Sequence, residues 1–110
     1  MSSSPDLFLL TCLALINAHP TAYPDWSENE LRNHIIVSVA RHCMAVRLVD
    51  DELHGLCTWE VDEQAKHIHL VGFIGNKDFI IHMRDRWRAE KPDFSVFITR
   101  RGKFRQLAKV

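Results

Sequence analysis

The spacing of the apolar residues changes near residue 44, and this change limits the chain to a fold that combines helices with strands. Before it, Leu31, Ile35 and Val39 recur at intervals of four, joined by Ile36, which is typical of the buried face of a helix. After it, apolar residues alternate with polar ones over residues 53–61, which is typical of a strand. The sequence therefore predicts helices first and a sheet afterwards.

The ends of the predicted elements carry capping and turn residues. Ser4-Pro5-Asp6 predicts the start of a first helix that reaches about Asn17, and Ser27 with Glu30 forms a capping box for a second helix that ends near His42. Asn76 is the expected cap of a third helix that stops before Pro92. The remaining segments, residues 44–49, 53–61, 67–73, 94–99 and those after Gly102, are expected to be strands.

This order, α-α-β-β-β-α-β-β, predicts an α+β fold in a single domain of residues 1–110. The expected architecture has helices on one face of a mainly antiparallel sheet of five strands. The connection through the third helix can place one parallel pair of strands inside that sheet.

The charges are distributed unevenly although they sum to zero. Residues 1–65 hold three basic and ten acidic side chains, whereas residues 66–110 hold eleven basic and four acidic ones. Arg100, Arg101, Lys103 and Arg105 give the C-terminal edge a strongly positive charge. This pattern predicts binding to an acidic protein surface or to other subunits, with nucleic acid as a weaker option. A solvated edge strand protected from aggregation is the structural alternative.

Other functional classes find little support in the sequence. The apolar stretch of residues 7–16 follows serines, a proline and an aspartate instead of basic residues, so a buried helix is expected there, with no membrane association. The three cysteines lack paired spacing, which favours reduced thiols and a cytoplasmic location. His67 and His69 alternate on one strand, but no Cys/His pairing of the zinc type occurs, so no metal site is expected.

Three local sequences carry a resemblance to a known family. They are the apolar helix that leads to Trp26, the segment Gly55-Leu56-Cys57-Thr58-Trp59, and the segment Ile68–Gly75 before a helix that contains Met83-Arg84. Together they resemble the toxin-activating lysine acyltransferases, a branch of the GNAT superfamily that takes fatty acyl groups from acyl carrier protein. The resemblance extends over most of residues 7–100 and implies a GNAT-like fold without its first strand and last helix.

The family's catalytic positions are altered in this chain. The position of the catalytic His corresponds to Tyr23, and the position of the catalytic Asp corresponds to His69. If the chain is an enzyme, the resemblance implies His69 as the base, with Tyr23 or the nearby His19 in support. The turn at residues 72–77 has two glycines and one lysine, which is too little for a pyrophosphate cradle, so no cofactor is expected.

Two functions therefore remain open at the level of sequence. One is a non-catalytic interaction or structural module, similar to compact GNAT-like proteins of bacteriophages, some of which are associated with virions. The other is a lysine acyltransferase that uses acyl carrier protein as donor. The replaced His and Asp favour the first function, whereas Trp26 and the basic C-terminal edge keep the second open.

Overall fold

The computed structural model describes residues 5–100 and 103–109 of the chain, with side chains over residues 7–97. Three helices and five strands follow in the predicted order. The helices are α1 (Pro5–Ala18), α2 (Glu28–Ala40) and α3 (Lys77–Glu90). The strands are β1 (Met44–Val49), β2 (Glu52–Asp62), β3 (His67–Ile74), β4 (Ser95–Arg100) and β5 (Lys103–Lys109).

The predicted caps and the first turn of the sheet are formed by local interactions. The Ser27 hydroxyl accepts from the Glu30 amide while the Glu30 carboxylate accepts from the Ser27 amide, which confirms the capping box. The Asn76 side chain accepts from the Phe79 amide and caps α3 as predicted. Asp50 and Asp51 both have positive φ values and connect β1 to β2 through a two-residue hairpin turn of the type I′ class.

The predicted fold class is wrong in its sheet and in the placement of the helices. Strands β1 to β4 form a four-stranded mixed sheet, because α3 returns the chain to the same end and β4 runs parallel to β3. Strand β5 lies antiparallel along the outer edge of β4, which gives the order β1-β2-β3-β4-β5. The parallel pair of β3 and β4 makes the sheet mixed, so the prediction of a mainly antiparallel sheet of five strands is wrong.

The helices cover both faces of the sheet, whereas the sequence predicted one. Met83 and Trp87 of α3 pack with Trp59 and Leu70 in one core cluster, and α1 and α2 pack with Leu56 in the other. Leu56 and Trp59 differ by an odd number of positions on a regular strand, so they point to opposite faces. We call these the α3 face and the α1/α2 face.

A bulge on β3 keeps both faces supplied with apolar residues. Thr58 pairs with Gly72 and Trp59 pairs with Leu70, so Val71 has no partner on β2. In a regular strand Ile68, Leu70, Gly72 and Ile74 would all share one face. Because of the extra residue, Ile68 and Leu70 lie on the α3 face, whereas Gly72 and Ile74 lie on the α1/α2 face. One strand thereby contributes to two cores.

The buried stripe of α2 also differs from the prediction. Leu31 and Ile35 are buried as expected, but the third buried position is Ser38, while Ile36 and Val39 are exposed. Ser38 is small enough for a close approach to the sheet, and its carbonyl accepts from the Cys43 amide. Two of the four apolar residues that the sequence predicts to be buried, Ile36 and Val39, therefore reach the surface.

Candidate functional site

The side chains of three elements meet at the hydroxyl of Thr58, which is fully buried on β2. The Tyr23 hydroxyl lies 2.7 Å from Thr58 Oγ1, and His34 Nε2 lies 2.8 Å from the same atom. Tyr23 comes from the segment between α1 and α2, and His34 comes from α2. One threonine thus links α2 and the segment that connects α1 to α2 to the sheet.

His34 is held in this position by aromatic rings and by its partial burial. The Trp26 ring centroid lies 4.8 Å from that of His34, and the Tyr23 ring lies 6.2 Å away. Burial lowers the pKa of His34, and the nearby Glu60 carboxylate offsets part of this effect. The imidazole is therefore neutral at pH 7 and can both donate and accept a hydrogen bond.

Tyr23 has a structural role in this site. Its side chain is buried, and desolvation raises the pKa of its phenol far above the ordinary value, despite the hydrogen bond to Thr58. A phenol with so high a pKa stays protonated at pH 7. Tyr23 therefore bonds to Thr58 and does not supply a general base.

A cleft of about 490 Å³ lies beside this network. It is lined by residues from both faces of the sheet. The cleft therefore crosses the edge of β2 after Thr58, where β2 continues but β1 no longer pairs with it. His34 is the member of the network that reaches it. The other lining residues that bear on its chemistry are Cys43, Trp59, Glu60, Trp87 and Lys91.

The cleft is lined largely by polar side chains, and the cysteine among them is not activated as a nucleophile. Burial raises the pKa of the Cys43 thiol, which therefore remains protonated at pH 7. Lys91 Nζ lies 3.1 Å from Glu63 Oε1, so this cation is paired at the rim. The indole nitrogen of Trp87 is buried and has no hydrogen-bond partner among the described residues.

The catalytic candidates predicted from the sequence lie in separate local environments. Tyr23 is brought together with His34 and Thr58, as described above. His69 packs against His67 and Phe97, with ring centroids 5.6 and 5.7 Å apart, and it is the register partner of Glu60 across β2. His19 follows α1, is exposed, and its Nδ1 lies 3.0 Å from the Leu15 carbonyl.

His34 and Thr58 were missed by reasoning from the sequence alone. The alternation of residues 53–61 predicts Thr58 on the polar face of its strand, and His34 lies on a predicted helix without ligand-type partners. A usable signal was present, because Thr58 interrupts an apolar run and His34 precedes the buried Ile35. Their pairing spans 24 positions and needs the tertiary structure.

The predicted basic edge lies only partly within the described residues. Arg100 ends β4 and is the register partner of Lys103, the first residue of β5, and Arg105 pairs with Ile98. Arg101 lies outside the described residues. The backbone thus places this segment at the edge of the sheet opposite β1.

The structure also bears on metal binding and on membrane association. Among the described residues, no group of three or more His, Cys, Asp or Glu side chains could hold a metal ion. No helix in the same part of the chain is long and apolar enough to cross a bilayer.

Exposed large apolar side chains lie on α1, α2 and β1. Each of them is 42–60% exposed: Leu7, Phe8, Leu10, Ile36, Val37, Val39 and Leu48. We call these seven residues the apolar surface. Among the side chains described, over residues 7–97, all seven belong to the first 48 residues of the chain, and α3 contributes none of them.

Comparisons with known proteins give no family for this chain: no family model, curated protein or solved structure matches it significantly. The resemblance to GNAT acyltransferases therefore stays a prediction from the sequence.

Proposed function

We propose that this protein is a non-catalytic interaction module that binds another protein through its apolar surface. The observation that carries the proposal is the concentration of seven exposed apolar side chains on α1, α2 and β1. Exposed apolar side chains are costly in water, and a concentration of them in one part of a folded protein commonly marks a site of protein association.

The use of the polar groups supports a non-catalytic role. The Tyr23 hydroxyl is committed to the buried Thr58, and the thiols of Cys12 and Cys57 are buried with pKa values raised by desolvation to about 11 and about 12. Groups of this kind stabilise a core and are poor nucleophiles or bases at pH 7. A GNAT-like domain that has lost its chemistry fits this pattern.

The proposal includes the compartment and a second contact. Three free cysteines suit the reducing cytoplasm, or a virion if the chain is of phage origin. The basic edge of Arg100, Arg101, Lys103 and Arg105 is proposed to contact an acidic protein surface. Reversing Arg101 and Lys103 to Glu should abolish that contact, and unchanged capture of an acidic partner by the double variant would contradict it.

A site-specific photo-crosslinker tests the apolar surface directly. Benzoylphenylalanine at position 36, where Ile36 is exposed on α2, is expected to yield a covalent adduct with another protein in cells of the source organism. The matched control is position 82, which is exposed on α3. Equal adducts at both positions, or none at position 36, would contradict the proposal.

A transfer assay tests the non-catalytic part. The protein is incubated with acylated carrier protein and a lysine-bearing peptide, and the peptide mass is followed. We expect no transfer above the rate without protein. Transfer that disappears in the His69→Ala variant would establish the acyltransferase instead.

A further inference from the structure

The outer edge of β1 is open in the described part of the chain. β1 is the first strand in the order of the sheet, and its described pairing is with β2 alone. An unpaired edge presents a row of amide and carbonyl groups that can pair with a further strand. Edge strands of natural proteins are usually kept from pairing by charged side chains, by proline or by being very short. The strand Met44–Val49 carries Arg47 as its single charge.

The surroundings of this edge form a groove that a strand could enter. The groove has a volume of about 270 Å³ and is lined by Phe8 and Val39 on the α1/α2 face, by Met44 and Val46 of β1, and by Arg86 of α3. Because both sheet faces contribute to its walls, it passes over the β1 edge. Phe8 and Val39 belong to the apolar surface, so this inference rests on the proposed function and specifies one partner for it.

We propose that this edge pairs with the β1 edge of a second copy of the chain, antiparallel and across a twofold axis at Val46. In an antiparallel pair, directly opposite side chains lie on the same face. A twofold axis through Val46 satisfies this condition, since it places Met44 opposite Leu48 and Val46 opposite itself. The contact on the α1/α2 face is then entirely apolar.

The side chains of the other face disfavour the register centred on Arg47. An axis through Arg47 would place two guanidinium groups directly opposite each other, which is unfavourable. With the axis at Val46, Arg47 lies opposite the small Ala45 instead. The exposure of Leu48, at 60%, fits a residue that a partner's Met44 would cover.

The charges at the two ends of β1 favour the same partner. Arg41 and His42 precede the strand, and Asp50 and Asp51 follow it. In the register centred on Val46, the end of β1 that follows Arg41 lies next to the end that precedes Asp51 in the second copy, so the basic end of one strand comes near the acidic end of the other. Each dimer contains this complementary contact twice, because a twofold interface is the same patch on both subunits.

A cysteine placed on the twofold axis tests the register. In a Cys43→Ser background, Val46→Cys should form an intermolecular disulfide under mild oxidation, because opposite residues of antiparallel strands bring their Cβ atoms within reach of such a bond. Leu48→Cys is the matched control. Position 48 is more exposed, but in this register it lies opposite position 44 of the second copy, four residues away from position 48 of that copy. Equal crosslinking of both variants would overturn the proposed pairing.

Light scattering of the unmodified protein tests the dimer itself. We expect twice the mass of one chain at micromolar concentration, and about tenfold weaker dimerisation for Arg41→Glu. The control is Arg88→Glu, which changes an exposed residue of α3 and should leave dimerisation unchanged. A monomer at 100 μM, on the order of the weakest useful affinity for such a contact, would overturn the inference. Adducts of position 36 with another protein would still support the proposed function, so the two failures are distinguishable.

Discussion

The Tyr23 ring occupies the space directly above Gly72, where a Cβ atom would overlap the carbons of the phenol. Gly72 lies on β3 next to the bulge, and Tyr23 comes from the segment between α1 and α2. The absence of a side chain at position 72 therefore allows that segment to pack on the sheet and brings the Tyr23 hydroxyl to Thr58.

Gly72→Ala should destabilise the protein strongly. The added methyl group overlaps a buried ring that has no free space on the strand side, and overpacking of this kind costs about 1–3 kcal/mol, occasionally more. Urea denaturation measures the change in the free energy of unfolding. Tyr23→Leu in the same chain should recover part of the loss, and a double variant that is no more stable than Gly72→Ala would show that the overlap is not the cause.

The Thr58 hydroxyl should contribute more to stability than the Tyr23 hydroxyl. Tyr23→Phe removes one hydrogen bond and leaves Thr58 bonded to His34, at a cost of about 1 kcal/mol. Thr58→Val leaves both the Tyr23 hydroxyl and the His34 nitrogen without this partner, so we expect about twice that cost or more. Denaturation midpoints of the two variants compare them, and equal losses would indicate that His34 has another partner available.

His34 should make stability depend on pH below neutrality. Burial lowers the pKa of His34 in the folded state, so the unfolded chain, with a His pKa near 6.5, binds the proton more readily. The His34 contribution is therefore fully present above about pH 6.5 and is lost as the pH falls through the folded pKa.

Denaturation curves between pH 7.5 and 5 measure this dependence. His34→Gln should flatten it, whereas His82→Gln, which changes an exposed residue on α3, should leave it unchanged. Identical slopes for the wild type and His34→Gln would show that His34 protonates equally in both states.

Trp59 should be one of the largest single contributors to the core on the α3 face. The ring is 4% exposed and lies edge-on to Trp87, with centroids 5.3 Å apart. Trp59→Ala should cost about 3–5 kcal/mol. Trp26→Ala, at a half-buried position beside His34, is the comparison and should cost less. An unchanged denaturation midpoint for Trp59→Ala would contradict the structural role.

The local features of this protein could be predicted from the sequence. The capping box of Ser27 and Glu30 and the cap at Asn76 involve residues three positions apart, so their geometry follows from the order of the residues. The same holds for the burial of Cys57 and Trp59 on one face of β2, which follows from the twofold alternation of a strand.

The arrangement of the two sheet faces was decided by the tertiary structure. The bulge at Val71 inverts the alternation of β3, and alternation alone gave no sign of it. The exposure of Val39 and the burial of Ser38 likewise depend on how closely α2 approaches β2. The periods of a helix and of a strand predict which residues can share a face. They do not predict which of those faces packs against another helix or strand.

The candidate site shows the same division. The sequence predicts site residues at positions 19, 23 and 69, whereas the structure joins Tyr23 and His34 to Thr58, across 35 and 24 positions respectively. Caps and strand phases are fixed by contacts within a few residues, which the sequence determines directly. The Thr58 network exists because two helices dock on a sheet strand, and that docking depends on packing contacts between residues far apart in the chain.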